Sequence, residues 1–207
     1  MEFKKIQLNG FKSFAEKTNF LIEDGLTGIV GPNGCGKSNI VESLRWVMGE
    51  TSAKSMRGSG MEDVIFSGTS NKASKNIAEV SVEVENNNKE GPVQYRELEQ
   101  IQVKRKIEKD KGSKFYINNK EVRARDTQMF FADLSTGAHS PSMISQGRIG
   151  ALVTAKPTDR RAILEEAAGI SGLHVRRHEA ELRLGAAENN LKRADELRRQ
   201  QEKQLAN

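Results

Sequence analysis

Gly31-Pro32-Asn33-Gly34-Cys35-Gly36-Lys37-Ser38 reads as a complete phosphate-binding loop: Gly, four residues, then Gly-Lys-Ser. The apolar run Leu26-Thr27-Gly28-Ile29-Val30 before it predicts a short buried strand. After it, Ile40, Val41, Leu44, Val47 and Met48 recur at helical spacing, and Gly49 supplies a stop. A loop between a strand and a helix is the context this motif requires. Four of the eight residues are Gly or Pro, so the backbone can curl and turn successive N–H groups inward. A helix N-terminus adds unsatisfied donors and partial positive charge, which suit an anion. Lys37 can reach terminal phosphates as a point charge, and the Ser38 hydroxyl can ligate Mg²⁺. The competing reading is a glycine-rich turn that binds nothing.

Length and composition frame this loop. The 207 residues suit one domain plus an appendage. A net charge of +5, from 33 Lys and Arg against 28 Asp and Glu, is mildly basic and points only weakly to an acidic partner such as nucleic acid. A single Cys excludes an internal disulfide framework and fits a reducing cytosol. No run approaches the ~20 apolar residues that span a bilayer. Met1-Glu2-Phe3-Lys4-Lys5 opens no secretory signal.

Outward from the loop, residues 3–9 and 17–22 read as strands, with Gly10-Phe11-Lys12-Ser13-Phe14 between them. Residues 51–61, rich in Ser and Gly, read as a loop carrying Lys54 and Arg57. Val80, Val82 and Val84 alternate with polar residues, the period of a half-exposed strand. Further strands are expected around 95–107 and 114–118, with turns at Asp110-Lys111-Gly112 and Asn118-Asn119. Residues 97–125 hold nine Lys and Arg against five Asp and Glu, which reads as a solvated face or as a contact for DNA backbone. A short helix is expected at 123–133, a polar loop at 134–147, and a helix entered through Pro157 that stops near Gly169. From Gly172 onward, Ala180, Ala187, Ala194 and Gln201 interleave with Leu184, Leu191, Arg198 and Leu205 at spacings of three and four. That is a coiled-coil seam awaiting a partner helix, or a lone surface helix.

Two stretches imitate the missing parts of an ATPase site. Met129-Phe130-Phe131-Ala132-Asp133 matches four apolar residues and an Asp, but no second carboxylate follows and Arg123-Ala124-Arg125-Asp126 looks like a helix entry. Leu134-Ser135-Thr136-Gly137 imitates a Leu-Ser-Gly-Gly signature but places Thr136 at the first paired glycine. Both read as structural.

In order along the chain, several blocks resemble the N-terminal head segment of SMC proteins, the chromosome-organising ATPases, of bacterial type. They are Gly10–Phe14, the loop through Ser38-Asn39, Arg57-Gly58 with Met61-Glu62-Asp63-Val64-Ile65-Phe66, Ile144-Ser145-Gln146-Gly147-Arg148-Ile149, and Arg160 through Ser171. The resemblance implies an α/β P-loop ABC-type ATPase head half, with mixed β-sheets around the P-loop helix and an emerging coiled-coil helix. It implies residues 1–172 as the N-terminal lobe and 173–207 as the start of the arm. Pro32, Asn33, Gly34, Cys35, Gly36, Lys37, Ser38 and Asn39 would wrap ATP, with Lys12, Ser13 and Asp63 beside the nucleotide. Ser38 and Gln146 would hold Mg²⁺, and Gln146 would also touch the attacking water. Arg57 would approach the phosphates and link hydrolysis to DNA. The implied partners are the protein's own C-terminal head segment, a second SMC head in a homodimer, a kleisin-type subunit and DNA, in the cytoplasm at the nucleoid and with no membrane. The remaining alternatives are a related coiled-coil DNA-repair ATPase and a nucleotide-switched interaction module that does not hydrolyse.

Overall fold

The computed structural model describes residues 1–87, 89, 92–134, 143–145, 148–168 and 171–205. Six strands form one sheet: β1 Glu2–Asn9, β2 Thr18–Leu21, β3 Ile77–Glu85, β4 Gln100–Glu108, β5 Gly112–Ile117 and β6 Lys120–Val122. Their order is β2-β1-β3-β4-β5-β6, and every neighbouring pair is antiparallel. Alternation in the sequence sets the two faces. Ile6, Val82, Val103 and Ile117 lie opposite one another in a row across four strands, and all are buried. The other face is polar: Lys5 pairs with Glu83, Glu79 lies opposite Lys106, and Lys104 sits over the Tyr116 ring. Asn118 and Asn119 both take positive φ, the geometry of a tight two-residue hairpin turn, and join β5 to the unforeseen β6.

Helix α1, Lys37–Val47, lies on the apolar face. It buries Ile40, Leu44 and Val47 against the sheet, at about 1.5–3 kcal/mol per fully buried side chain. Helix α2, Ala124–Asp133, adds Phe130 and Phe131, which pack edge to face, with Phe131 stacked on Phe3. The Met129–Asp133 stretch is thus helical, as its helix entry predicts. Helices α3, Arg148–Thr154, and α4, Pro157–Ala167, precede α5, which runs from Ser171 to Leu205. The 35 residues of α5 reach about 50 Å. Its Leu184 and Leu191 are exposed, so the predicted seam faces solvent. Among the described residues no helix is long and apolar enough to cross a membrane.

One expectation is corrected. Leu26–Val30 forms no strand, and Leu26 and Val30 are 95 % and 92 % exposed. A strand exists only through ladder partners, and none of the six strands pairs with this segment. The apolar pattern that predicts burial therefore finds no partner among the described residues.

Candidate functional site

The site is assembled around α1 from three segments distant in sequence. In the first, Phe11 is fully buried and tilts against Trp46, while Phe14 meets Phe20 edge-on. With both aromatics anchored, the turn between them lifts Lys12 (φ 46°) and Ser13 toward the phosphate loop. The second segment, the Met61–Phe66 block, is stitched to this turn. Lys12 N–H donates to the Val64 carbonyl at 2.7 Å, and Phe66 N–H to Gly10 at 2.8 Å.

The phosphate loop itself is solvent-facing at residues 31–35. Gly34 and Gly36 adopt φ of 83° and 94°, a region that favours glycine. Gly36 is the N-cap of α1 and brings no side-chain acceptor; Asn39 N–H donates to the Gly36 carbonyl at 2.9 Å, and the Lys37 and Ser38 N–H groups remain available for an anion. A Cβ at Gly36 would lie 2.6 Å from Ser13 Oγ and 3.3 Å from Phe14 Cζ, so a larger residue there has to displace the Ser13 hydroxyl. Lys37 Nζ folds across the loop and donates to the carbonyls of Gly31 and Pro32, each at 2.6 Å. The exposed Cys35 thiol lies 3.9 Å from that ammonium. Ser38 is exposed, and its hydroxyl has no hydrogen-bond partner among the described residues. A curled backbone, a lysine at its mouth and a serine hydroxyl at the helix start fit a Mg²⁺-bound polyphosphate.

Arg57 comes from the third segment, the loop at 51–60. Its φ is 55°, between buried Met56 and Gly58. Arg57 Nη2 donates to Asn39 Oδ1 at 2.8 Å, and Asn39 Nδ2 donates to Ser13 Oγ at 2.9 Å. Arg57 Nε also pairs with Glu42, whose other carboxylate oxygen pairs with Lys12. The Lys12 ammonium donates in addition to the Met56 carbonyl. Asp63 ties down the same loop: its Oδ2 accepts from Ser59 N–H at 2.7 Å, Ser59 Oγ at 2.9 Å and Gly60 N–H at 2.9 Å. These donors, the Gly60 N–H foremost, hold its carboxyl below the ordinary carboxylate value. The structure therefore brings Lys12, Ser13, Asn39, Arg57 and the phosphate loop together, with Asp63 supporting the Arg57 loop. Gln146 lies outside the described residues, as do Ser135–Gly137. Ser145, next to Gln146, accepts a hydrogen bond from Arg45 of α1 at 3.2 Å.

Two residues escape sequence reading. Glu42 is 7 % exposed, yet it is the shared partner of Lys12 and Arg57. Its signal is its place one turn after Asn39 on the same helix. Arg105 belongs to the basic stretch read as a solvated or DNA-facing region, but it is 3 % exposed. It sits between the rings of Trp46 and Phe115, at 4.5 and 4.6 Å. It donates to the Trp46 carbonyl at 2.8 Å, the Glu50 carbonyl at 2.7 Å and Ser113 Oγ at 3.0 Å. Burial pulls its guanidinium down to about 10, while Glu50 acts the other way. Gln128 Nε2 donates to the Gly49 carbonyl at 2.7 Å. The C-terminus of α1 is thereby locked while its N-terminus stays open.

Comparison with known proteins matches residues 2–148 to the model of the RecF/RecN/SMC N-terminal domain. The chain is 55 % identical over 95 % of its length to the chromosome partition protein Smc of Cereibacter sphaeroides, of which it covers 17 %. It resembles the Smc head domain of Pyrococcus furiosus, solved with an extended coiled coil and bound to the C-terminal domain of ScpA. There the TM-score is 0.73 and the identity 30 %, over 94 % of this chain and 48 % of that one. The Smc head of Pyrococcus yayanosii, solved with a coiled coil and joint, gives a TM-score of 0.70 at 31 % identity, over 98 % of this chain and 39 % of that one.

Proposed function

This chain belongs to the RecF/RecN/SMC N-terminal domain family, and on that premise we propose that it is the first half of an ATPase head, completed by a segment that returns later in the same protein. The chain spans about a sixth of the length of the curated relatives it matches. One observation carries the proposal: a complete phosphate loop is entered by an exposed apolar segment that pairs with no strand among the described residues. A self-sufficient nucleotide switch would bury Leu26, Ile29 and Val30 in its own sheet. Their exposure suits a strand whose neighbours lie in another segment.

Within this reading, residues 33–39 would wrap the phosphates through the N–H groups the loop leaves open, the Lys37 ammonium would join them, and Ser38, with Gln146, would hold the metal. Bound Mg²⁺ neutralises and orients the triphosphate. Arg57 places a permanent planar cation toward charge that develops at the terminal phosphate. Catalysis then needs an acidic residue and a signature segment from outside this chain. They are supplied by the returning segment and by a second head across the nucleotide. ATP-driven engagement of two such heads, with a kleisin-type subunit and DNA, is the proposed machinery of chromosome organisation and partition, in the cytoplasm at the nucleoid. Residues 173–207 are the base of the arm and 1–172 the lobe. The Pyrococcus furiosus head, solved with an extended coiled coil and bound to the C-terminal domain of ScpA, supports this assignment.

The test is reconstitution. Residues 1–207 alone should hydrolyse ATP negligibly, and addition of the returning head segment should restore turnover that Lys37→Ala abolishes. Robust hydrolysis by the isolated chain, lost in Lys37→Ala, would overturn the split-head reading. Nucleotide binding with no turnover in the complete protein would favour the switch instead.

A further inference from the structure

We propose that Glu42 is a positioning residue of this site: it fixes the Arg57 guanidinium at the place from which it meets phosphate. The inference rests on the phosphate-site reading above. A carboxylate on the core-facing side of a helix loses hydration and persists only where it is paired. Glu42 meets that condition with one cation on each oxygen, Arg57 Nε on Oε1 and Lys12 Nζ on Oε2. Lys12 balances and holds the carboxylate, and the carboxylate holds Arg57.

The grip on Arg57 has two points. Glu42 takes Nε, and Asn39 Oδ1 takes Nη2 at 2.8 Å. Two contacts on a planar group fix its plane as well as its position. Among the described residues Arg57 Nη1 makes no hydrogen bond, so donors remain for an anion. Both anchors lie on α1, the helix whose first turn forms the phosphate cradle. Arg57 itself sits in a loop with no regular structure, on a long side chain. Glu42 and Asn39 therefore register the cation to the phosphates rather than to its own loop. Such registration matters because a displacement of about 1 Å in a catalytic group can cost on the order of 100-fold in rate.

The experiment is a double-mutant cycle on steady-state ATP hydrolysis by the complete protein, with thermal unfolding and Mg-ATP affinity measured alongside. Glu42→Gln keeps the shape and removes the charge. It should lower kcat about 10- to 100-fold, with KM and Mg-ATP affinity little changed. Added to Arg57→Ala, it should cost nothing further, because it acts through Arg57. Unchanged kcat, a raised KM in place of a lowered kcat, or losses that multiply in the double variant would overturn the proposal. If Glu42→Gln fails to fold, Glu42→Asp keeps the charge but draws it back by one methylene, and the same non-additivity with Arg57→Ala decides. A parent protein that binds no Mg-ATP defeats the phosphate-site reading itself. A parent that turns over normally beside an equally active Glu42→Gln defeats the Glu42 proposal alone.

Discussion

Arg105→Ala should unfold the head well before its nucleotide site is damaged directly. The guanidinium stands between two rings and caps the Trp46 and Glu50 carbonyls at the end of α1. Truncation removes a charge-assisted hydrogen bond from each of those carbonyls, at about 1.5–3 kcal/mol each, while the Trp46 carbonyl keeps the Gly49 N–H at 3.2 Å. It also removes desolvated cation–π contact of about 2 kcal/mol or more. Part is returned, since the variant no longer buries a charge, a penalty of several kcal/mol. The losses outweigh that return by about 2–5 kcal/mol. For a domain of this size each kcal/mol moves Tm by about 2–4 °C, so the midpoint should fall by about 4–20 °C. Arg105→Met separates the causes: it keeps apolar contact with Trp46 and Phe115 but caps no carbonyl. Differential scanning calorimetry of the complete head, with parent, Ala and Met forms in parallel, reads this out. If Arg105→Met melts with the parent, the capping argument is wrong and packing alone matters. If Arg105→Ala also melts within about 2 °C of the parent, a shift worth no more than about 1 kcal/mol, Arg105 does not hold α1 at all.

Gly36→Ala should weaken Mg-ATP binding about tenfold or more, from strain of about 1–3 kcal/mol at a left-handed position and from the clash with Ser13 Oγ; titration with a fluorescent ATP analogue checks it, and an unaltered Kd refutes it. The depressed Asp63 carboxyl stabilises the Arg57 loop above its ordinary value of 3.8, and that contribution fades as pH falls through the lower folded-state value. Hydrogen-exchange protection at Ser59 and Gly60 should therefore hold at pH 5 and decline in stronger acid, about pH 4 and below, with the acid step absent in Asp63→Asn; an identical step in the variant removes Asp63 as its cause. A bulky maleimide on the exposed Cys35 should block nucleotide binding, Mg-ATP should slow the labelling, and Cys35→Ser should be indifferent to the reagent; a labelled protein that binds normally would show that this side of the loop does not face the phosphates.

Most of the fold is legible because local chemistry and final structure agree. The glycines at 31, 34 and 36 announce the loop, Val80, Val82 and Val84 announce β3, and Asn118-Asn119 announces a turn, though not the strand β6 that follows it. Three features are misread or overlooked for physical reasons. Arg105 sits in the inward register between Val103 and Ile107, but its charge disguises that alternation, and only Trp46 and Phe115 reveal why a cation fits there. Glu42 looks like an ordinary helix-surface acid until loops 10–14 and 51–60 close over it. Leu26–Val30 carries the pattern of a buried strand, and hydrophobic pattern reports a completed fold rather than the contacts one segment can make by itself.

The exposed flank at Leu26–Val30 becomes a matter of time when the protein is made. In a protein as long as the relatives, five-sixths of the chain is still to be translated once this portion has left the ribosome. At about 5–20 residues per second, that takes on the order of one to three minutes. On the split-head proposal, a nascent half-head presents these apolar residues, a few positions after the edge strand β2, throughout that interval, and neighbouring ribosomes on one message present the same surface in duplicate. Closure between segments so far apart in sequence is also the slow kind. If the proposed arm separates the two halves, its length sets a waiting period in which co-aggregation competes with folding, and spacing between nascent chains or a chaperone at this edge becomes part of how such a head is built.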